Sequence, residues 1–182
     1  MKKLILFAAI LFAGVTVVKT QAQEGHSSKL SVELHPFQTI LVSGESTIKF
    51  TDASHYKQGT SVTEITGNTL VTVNSAGSFV VAVKANDLEQ VGNATNTLKA
   101  NTINVEAKAE NTEVPNEIKV ACTLGNENGD ALIKGAGGFD MKYKVEFTAN
   151  GGDAYRTAYN NGLKTENFQN YTTTVYYTVS AN

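Results

Sequence analysis

The chain contains little cysteine, proline, tryptophan or arginine. Among its 182 residues there are one Cys, two Pro and no Trp, and Arg156 is the single Arg. One cysteine excludes an internal disulfide. Alternation in residues 118–122 places Cys122 on the same face as Ile118 and Val120, so we predict a buried thiol of the core rather than a nucleophile.

The chain also lacks an excess of charge of either sign. It has 15 basic and 17 acidic residues, which gives a formal net charge of −2, and its basic residues form no run. Binding to nucleic acid requires a clustered basic surface that neutralises phosphates. We therefore expect no nucleic-acid partner.

No local motif for catalysis or zinc binding is present. The three histidines, His26, His35 and His55, are scattered and have no second ligand at a zinc-site spacing such as H-E-x-x-H. There is no G-x-S-x-G, although a Ser/His/Asp triad assembled from distant segments stays open. We predict that the protein is not an enzyme and that it has no cofactor.

The best metal candidate is the oxygen-rich stretch from Asn126 to Asp130. As an EF-hand loop it fails at position six, which is Ala131 rather than Gly, and at position twelve, which is Gly137 rather than Glu. Asn, Asp and Gly favour turns strongly. We predict a solvated hairpin loop here and no metal site.

The first 22 residues have the composition of a secretory signal peptide. Lys2 and Lys3 precede an apolar run over residues 4–18, and residues 20–22, Thr-Gln-Ala, provide a cleavage site. A transmembrane anchor is the alternative, but the run is shorter than the roughly 20 residues that span a bilayer. No Cys follows for lipid attachment. We predict a domain of residues 23–182 that is exported to the periplasm, the cell surface or the medium, with no membrane span after cleavage.

Apolar residues of the remaining chain recur with a period of two, which is typical of half-buried β-strands. Turn sequences separate the runs at the spacing expected of a sandwich or barrel. We predict an all-β domain, a single antiparallel two-sheet β-sandwich, with at most a turn of helix at residues 86–90 and 154–161. The alternating apolar positions include Leu30, Val32 and Leu34; Phe79, Val81, Val83 and Ala85; Ile103, Val105, Ala107 and Ala109; and Met141, Tyr143, Val145 and Phe147.

Two further segments have a predicted role. Residues 171–180 form an uninterrupted strand pattern with bulky side chains on both faces, so we expect a strand inside a sheet that closes the fold.

Residues 150–170 are the least strand-like part of the chain and carry aromatic residues amid Asn, Gly and Thr. If this is a binding loop, its ligand-binding residues are Tyr155, Arg156, Tyr159 and Phe168; the alternative is a crossover loop pinned by buried aromatics.

The chain resembles small secreted bacterial β-sandwich proteins, in particular WxL-type surface domains and fimbrial-subunit-like domains. The resemblance rests on the signal peptide, on residues 36–40 (Pro-Phe-Gln-Thr-Ile), on residues 77–85 around Phe79, and on the terminal pattern around Tyr177. Phe79 and Tyr177 stand where the WxL pattern has its two Trp residues. The resemblance implies a surface-associated, non-enzymatic role without catalytic residues.

Three functions follow, in decreasing order of preference. The first is a structural or adhesive surface protein, a subunit of a fibre or surface layer, that contacts other surface proteins or its own copies through strands or faces. In that function residues 29–42 are a candidate donor strand, unless they pair within their own domain.

The alternative is a glycan- or peptidoglycan-binding module that uses the 150–170 loop. The third is a hydrolase, which requires a cleft that joins two carboxylates or a His and a carboxylate.

Overall fold

A computed structural model describes residues 29–110, 118–119, 122–162 and 168–182. The predicted signal peptide, residues 1–22, lies outside the described residues. The chain divides into two compact units, Met1–Leu34 and His35–Asn182. In the described part of the first unit, residues 29–34, there is no regular secondary structure. All strands and helices described below belong to the second unit.

The described fold is mostly β, and its long strands coincide with the alternating apolar runs of the sequence. The strands, numbered along the chain, are β1 (Gln38–Ser43), β2 (Ser46–Ile48), β3 (Ile65–Gly67), β4 (Thr69–Ser75), β5 (Phe79–Ala85), β6 (Leu88–Gln90), β7 (Asn93–Leu98), β8 (Ile103–Ala109), β9 (Ile118–Lys119), β10 (Cys122–Thr123), β11 (Asp130–Gly135), β12 (Gly138–Ala149), β13 (Tyr171–Thr172) and β14 (Val175–Ala181). Two short helices, α1 (Ala53–Gln58) and α2 (Asp153–Asn161), and two 3₁₀ turns, Val62–Glu64 and Ala100–Thr102, complete the described elements.

The described strands form four antiparallel sheets. The largest has the order β1-β4-β12-β8-β10, and the second has the order β14-β5-β11-β9. A three-stranded sheet, β13-β6-β7, and a two-stranded sheet, β2-β3, are smaller. Strands β9 and β10 are consecutive in the chain, yet they pair in different large sheets, so this segment connects the two.

The core lies on one face of each of the two large sheets. Alternate residues of β4, β5, β8 and β12 are buried, which confirms the period-two pattern of the sequence. A bulge in β11 after Ala131 breaks the alternation, so that Leu132 and Ile133 are both buried. Burial of an aliphatic side chain stabilises a fold by about 1.5–3 kcal/mol, and this cluster is the main source of that energy among the described residues.

The prediction for residues 171–180 was wrong in two respects. The chain leaves the strand conformation at Thr173 and Thr174, so that β13 and β14 belong to different sheets. In addition, β14 pairs only with β5 and therefore lies at an edge of its sheet as described, not inside it. The bulk on its outer face, which suggested a central strand, comes from Tyr176, a half-exposed residue.

The prediction for the alternating run that begins at Leu30 was also wrong. Residues 29–34 contain no strand, and β1 starts only at Gln38, after Pro36. Proline restricts the residue before it and removes a backbone donor, which favours a strand boundary at this place. From Gln38 onwards the segment pairs with β4 of its own domain, so the part of the candidate donor strand in β1 is already used.

Of the two helical turns that the sequence predicts, one is present and one is absent, and a further helix was not predicted. Residues 154–161 do form helix, as part of α2, but residues 86–90 contain strand β6 instead of a helical turn. Helix α1 was missed, because six residues are too few to show a helical period. Its only local signal is Asp52, whose side chain accepts hydrogen bonds from the backbone N–H groups of Ser54 and His55 as an N-cap.

Candidate functional site

Tyr155, the first predicted ligand-binding residue, is part of the core. It lies on α2 and is 7 % exposed. Its ring stacks on Phe50, with ring centroids 4.5 Å apart, and its hydroxyl is 2.6 Å from Oγ1 of Thr102. Burial raises the pKa of the Tyr155 phenol. This side chain anchors the helix and presents no surface to a ligand.

The other three predicted residues lie nearer the surface. Arg156 is exposed and donates from a guanidinium NH₂ to Asp153, one turn earlier on the helix, at 2.8 Å. Tyr159 is partly exposed and packs edge-on against Tyr56, with ring centroids 6.4 Å apart. Phe168 is exposed. Because Tyr155 points inward, the four residues do not form one surface.

A polar network attaches α2 to the three-stranded sheet. The side-chain amide of Asn96 donates to the Tyr171 hydroxyl at 2.6 Å and to the carbonyl of Ala158 at 3.2 Å. The Tyr171 hydroxyl in turn donates to the same carbonyl at 2.9 Å. Buried polar groups that satisfy one another hold segments in a single arrangement. Within the segment predicted as a binding loop, residues 153–161 thus form a helix with fixed packing.

The structure brings together a histidine and two carboxylates that no sequence motif had indicated. Nε2 of the buried His55 lies 3.4 Å from Oδ2 of Asp52 and 3.6 Å from Oε1 of Glu64. Nδ1 accepts a hydrogen bond from the backbone N–H of Thr51 at 3.1 Å. The proton of the neutral ring therefore resides on Nε2 and faces the carboxylates. Since the lone pair on Nδ1 is already engaged, the ring is not arranged as a general base.

The two carboxylates of this cluster are stabilised in the ionised form. A hydrogen bond from the Ser54 hydroxyl lowers the pKa of Asp52, and the backbone N–H groups of His55 and Ser54 lower it by smaller amounts. Hydrogen bonds from the hydroxyls of Ser61 and Thr63 lower the pKa of Glu64 to about 2. A general acid needs a raised pKa near the working pH. The cluster is therefore suited to holding α1 and the following 3₁₀ turn in place.

The candidate calcium stretch forms a turn, as predicted, but not a hairpin. The flanking strands β10 and β11 belong to different sheets. Within the turn, the amide of Asn126 donates to Asp130 at 2.6 Å, and the N–H of Gly129 donates to the carbonyl of Asn126 at 2.9 Å. Among the residues that the structure describes, no three His, Cys, Asp or Glu side chains are grouped for a metal ion.

Cys122, predicted as a core thiol, is half-buried and packs against the core cluster. Burial, with a smaller contribution from the charge of Asp130, raises the pKa of its thiol to about 11. A thiol is nucleophilic only as the thiolate. The side chain therefore packs as a small apolar residue, as the alternation in the sequence indicated.

The described N-terminal segment, residues 29–34, exposes large apolar side chains. Leu30, Val32 and Leu34 are 88 %, 73 % and 88 % exposed. They occupy alternate positions, so in an extended conformation they share one face. Three exposed apolar side chains at such positions are a candidate contact surface.

Strand β14 is an edge strand in the second unit. Strand β14 pairs with β5 on one side only. Strand β1 comes near β14, but the two strands form no ladder. Part of the backbone N–H and C=O groups of β14 therefore has no strand partner among the described residues, and such an edge is a template for another strand.

Among the described residues, none of the helices has both the length and the apolar character needed to cross a bilayer. No model of a known protein family and no curated protein matches this chain.

Proposed function

We propose that this chain is an exported, non-enzymatic structural or adhesive protein of the cell surface, whose copies associate by strand addition. The observation that carries the proposal is the exposed alternation of Leu30, Val32 and Leu34 ahead of the β domain. In the proposed assembly, residues 29–34 of one copy pair with the edge strand β14 of the next.

The energetics favour a partner for this segment. Burial of a Leu or Val side chain stabilises by about 1.5–3 kcal/mol, and three such side chains are exposed here. Strand addition also gives partners to the unpaired backbone groups of the edge strand. Because the donor segment and the acceptor edge are different surfaces of the chain, the contact is head-to-tail, and such contacts form rings or open fibres.

The fold that we propose for this subunit is a β-sandwich of the two large sheets. Each of these sheets buries one apolar face, and the buried residues belong to one cluster. Because β9 pairs in one large sheet and β10 in the other, the chain between them links the two sheets at one side of the proposed sandwich. This arrangement agrees with the resemblance to WxL-type and fimbrial-subunit-like domains. At the positions of the motif Trp residues, Phe79 belongs to the core cluster and Tyr177 packs against it.

Export is supported by the composition of residues 1–22, namely two lysines, an apolar run and a Thr-Gln-Ala site. Expression of the whole chain in a bacterium tests it. Edman sequencing of the product from the periplasm or medium should give Gln23 as the first residue. An unprocessed chain that starts at Met1 and fractionates with membranes would support the anchor instead.

Strand addition is tested with the mature chain, residues 23–182, at high concentration. Size-exclusion chromatography with light scattering should show oligomers. They should disappear in a variant with Ser at positions 30, 32 and 34, because the apolar face of the donor is lost. The matched control, Lys29→Ala with Ser31→Ala, changes neighbouring positions and leaves that face intact, so its oligomers should persist.

A synthetic peptide of residues 29–34, added to a chain that starts at residue 35, provides the second arm. The peptide should broaden or shift the amide NMR signals of β14, whereas a peptide of the same composition with the three apolar residues adjacent should not. A mature chain that stays monomeric at millimolar concentration contradicts the assembly.

A further inference from the structure

A cavity of about 510 Å³ opens on the outer side of the four-stranded sheet. Its wall consists of the end of β5, the start of β14 and the turn that follows β10. Three segments that are distant in the sequence thus form one concavity. Its volume falls within the roughly 300–1,000 Å³ typical of small-molecule sites.

One wall of the cavity is held rigidly by the turn that begins at Gly125. Leu124, just before it, is buried, and its N–H donates to the carbonyl of Ile103 at 2.9 Å. Gly125 has a φ of +101°, and a Cβ there would come 2.9 Å from the backbone nitrogen of Asn101. Only glycine allows so close an approach in this conformation. The side chain of Asn126 forms hydrogen bonds within the turn: its oxygen accepts from the N–H of Asn128, and its NH₂ group donates to Asp130.

The floor of the cavity carries an aromatic ring. Tyr176 of β14 is directly opposite Lys84 of β5, so both side chains stand on the outer face of the sheet. Tyr176 is 50 % exposed. A half-exposed tyrosine on a rigid strand offers a flat apolar surface at little cost in conformational entropy.

The rim provides polar groups of complementary kinds. Lys84 donates to the backbone carbonyl of Glu127 at 3.3 Å, which uses one of the three donors of its ammonium group. Glu127 and Asn86 also line the cavity. A carboxylate has acceptors, and a side-chain amide has both donors and acceptors. The backbone carbonyl of Asn86 is fixed by the Thr173 hydroxyl at 2.9 Å.

These features define the chemistry of the occupant. One cation and one anion line the cavity, so the lining charges favour neither an anionic nor a cationic ligand. A flat apolar surface beside mixed donors and acceptors matches a molecule with an apolar ring face and hydroxyl groups around its rim, because each hydroxyl both donates and accepts. A sugar has this character.

We propose that the cavity binds an uncharged saccharide. One sugar ring packs against the ring of Tyr176, and its hydroxyl groups form hydrogen bonds with Asn86, Glu127 and Lys84. This site is distinct from the segment 150–170 and does not depend on strand addition, which uses the backbone edge of β14 and not this side chain. An adhesive protein with such a site would attach to glycan.

The test is NMR titration of the ¹⁵N-labelled mature chain, residues 23–182, with millimolar glucose, N-acetylglucosamine, cellobiose and chitobiose. At least one sugar should shift the amide signals of Asn86, Glu127 and Tyr176 in a saturable way. Tyr176→Ala should raise its Kd about tenfold, and Tyr176→Phe should keep it, since the ring provides the contact. Glu127→Ala, in the exposed turn, should weaken binding without a risk to the fold.

Tyr159→Ala is the matched control, because it removes another partly exposed tyrosine outside the cavity. It should leave the affinity unchanged. The proposal is overturned if none of the four sugars shifts the cavity signals. It is also overturned if Tyr159→Ala abolishes binding while a folded Tyr176→Ala variant binds normally, which would place the site on α2.

Discussion

The ring of Tyr155 stacks on that of Phe50, with 4.5 Å between their centroids and 21° between their planes. The two residues are far apart in the sequence, and their contact joins α2 to the segment that precedes α1. An aromatic pair of this kind contributes about 0.5–1.5 kcal/mol beyond the burial of apolar area. Tyr155 is therefore a packing residue.

Truncation of this ring should destabilise the protein. We expect Tyr155→Ala to lower the free energy of unfolding by about 3–5 kcal/mol, the range for buried aromatic residues. Tyr155→Phe keeps the stack and loses only the hydrogen bond with Thr102, so it should cost about 0.5–1.5 kcal/mol. Urea denaturation measures both. Tyr159→Ala, on the same helix but more exposed, should cost clearly less than Tyr155→Ala, and equal losses would contradict this assignment.

Removal of the Tyr177 hydroxyl should stabilise the protein. This hydroxyl is buried and has no hydrogen-bond partner among the described residues, and burial raises the pKa of the phenol. An unsatisfied buried polar group costs about 1–3 kcal/mol, so Tyr177→Phe should raise the free energy of unfolding by a similar amount.

The hydroxyl of Tyr171 provides the comparison, because it donates to the carbonyl of Ala158 and accepts from Asn96. Tyr171→Phe should therefore lower the midpoint of thermal unfolding, whereas Tyr177→Phe should raise it. Calorimetry of the two variants decides, and a loss of stability in Tyr177→Phe would show that its hydroxyl has a partner.

The thiol of Cys122 should react slowly in the folded protein. With its pKa raised to about 11 from the ordinary value of 9.0, the thiolate fraction at mildly alkaline pH is about a hundredfold lower than that of an exposed thiol. We expect slow alkylation by iodoacetamide, followed by mass spectrometry, and fast alkylation once urea unfolds the chain. Equal rates in the two states would mean that the thiol is freely accessible.

Glu64 should contribute stability that is lost in acid. Its pKa in the folded protein is about 2, below the ordinary value of 4.5 for a glutamate. Because the folded pKa is depressed, the contribution is present above the unfolded pKa and disappears as the pH falls from about 4.5 to about 2. Ser61→Ala should raise the pKa of the Glu64 carboxyl, measured by carbon NMR, and Ser61→Thr should keep it low.

The urea midpoints of these two variants provide the second measurement. The difference in urea midpoint between Ser61→Ala and the unchanged protein should be larger at neutral pH than in acid, where Glu64 is protonated in both proteins. A difference that stays constant across this range would exclude a contribution from the Glu64 charge.

The faces of the long strands could be predicted from the sequence. In β12, Met141, Tyr143 and Val145 alternate with charged residues, and burial follows the same alternation. The prediction of a buried Cys122 rested on the same pattern. This information is local, since one residue and its second neighbour always point to the same side of a strand.

The candidate sites could not be predicted in this way. Whether Tyr155 is exposed depends on Phe50, and the environment of His55 depends on Glu64, beyond the end of its helix. The cavity at Tyr176 requires that β14 lie beside β5 and that the turn after β10 lie over both. None of these neighbours is apparent from local spacing.

The amino-acid sequence by itself therefore determined the β class, the inward faces of the main strands, the turns, and the apolar alternation at Leu30, Val32 and Leu34. Only the tertiary structure decided that residues 171–180 divide between two sheets, that β14 is an edge strand, and which tyrosine is buried and which is exposed. The physical reason is that backbone hydrogen bonds are alike in every strand pair. Alternation selects the face of a strand, but its neighbours are selected by the packing of the whole core.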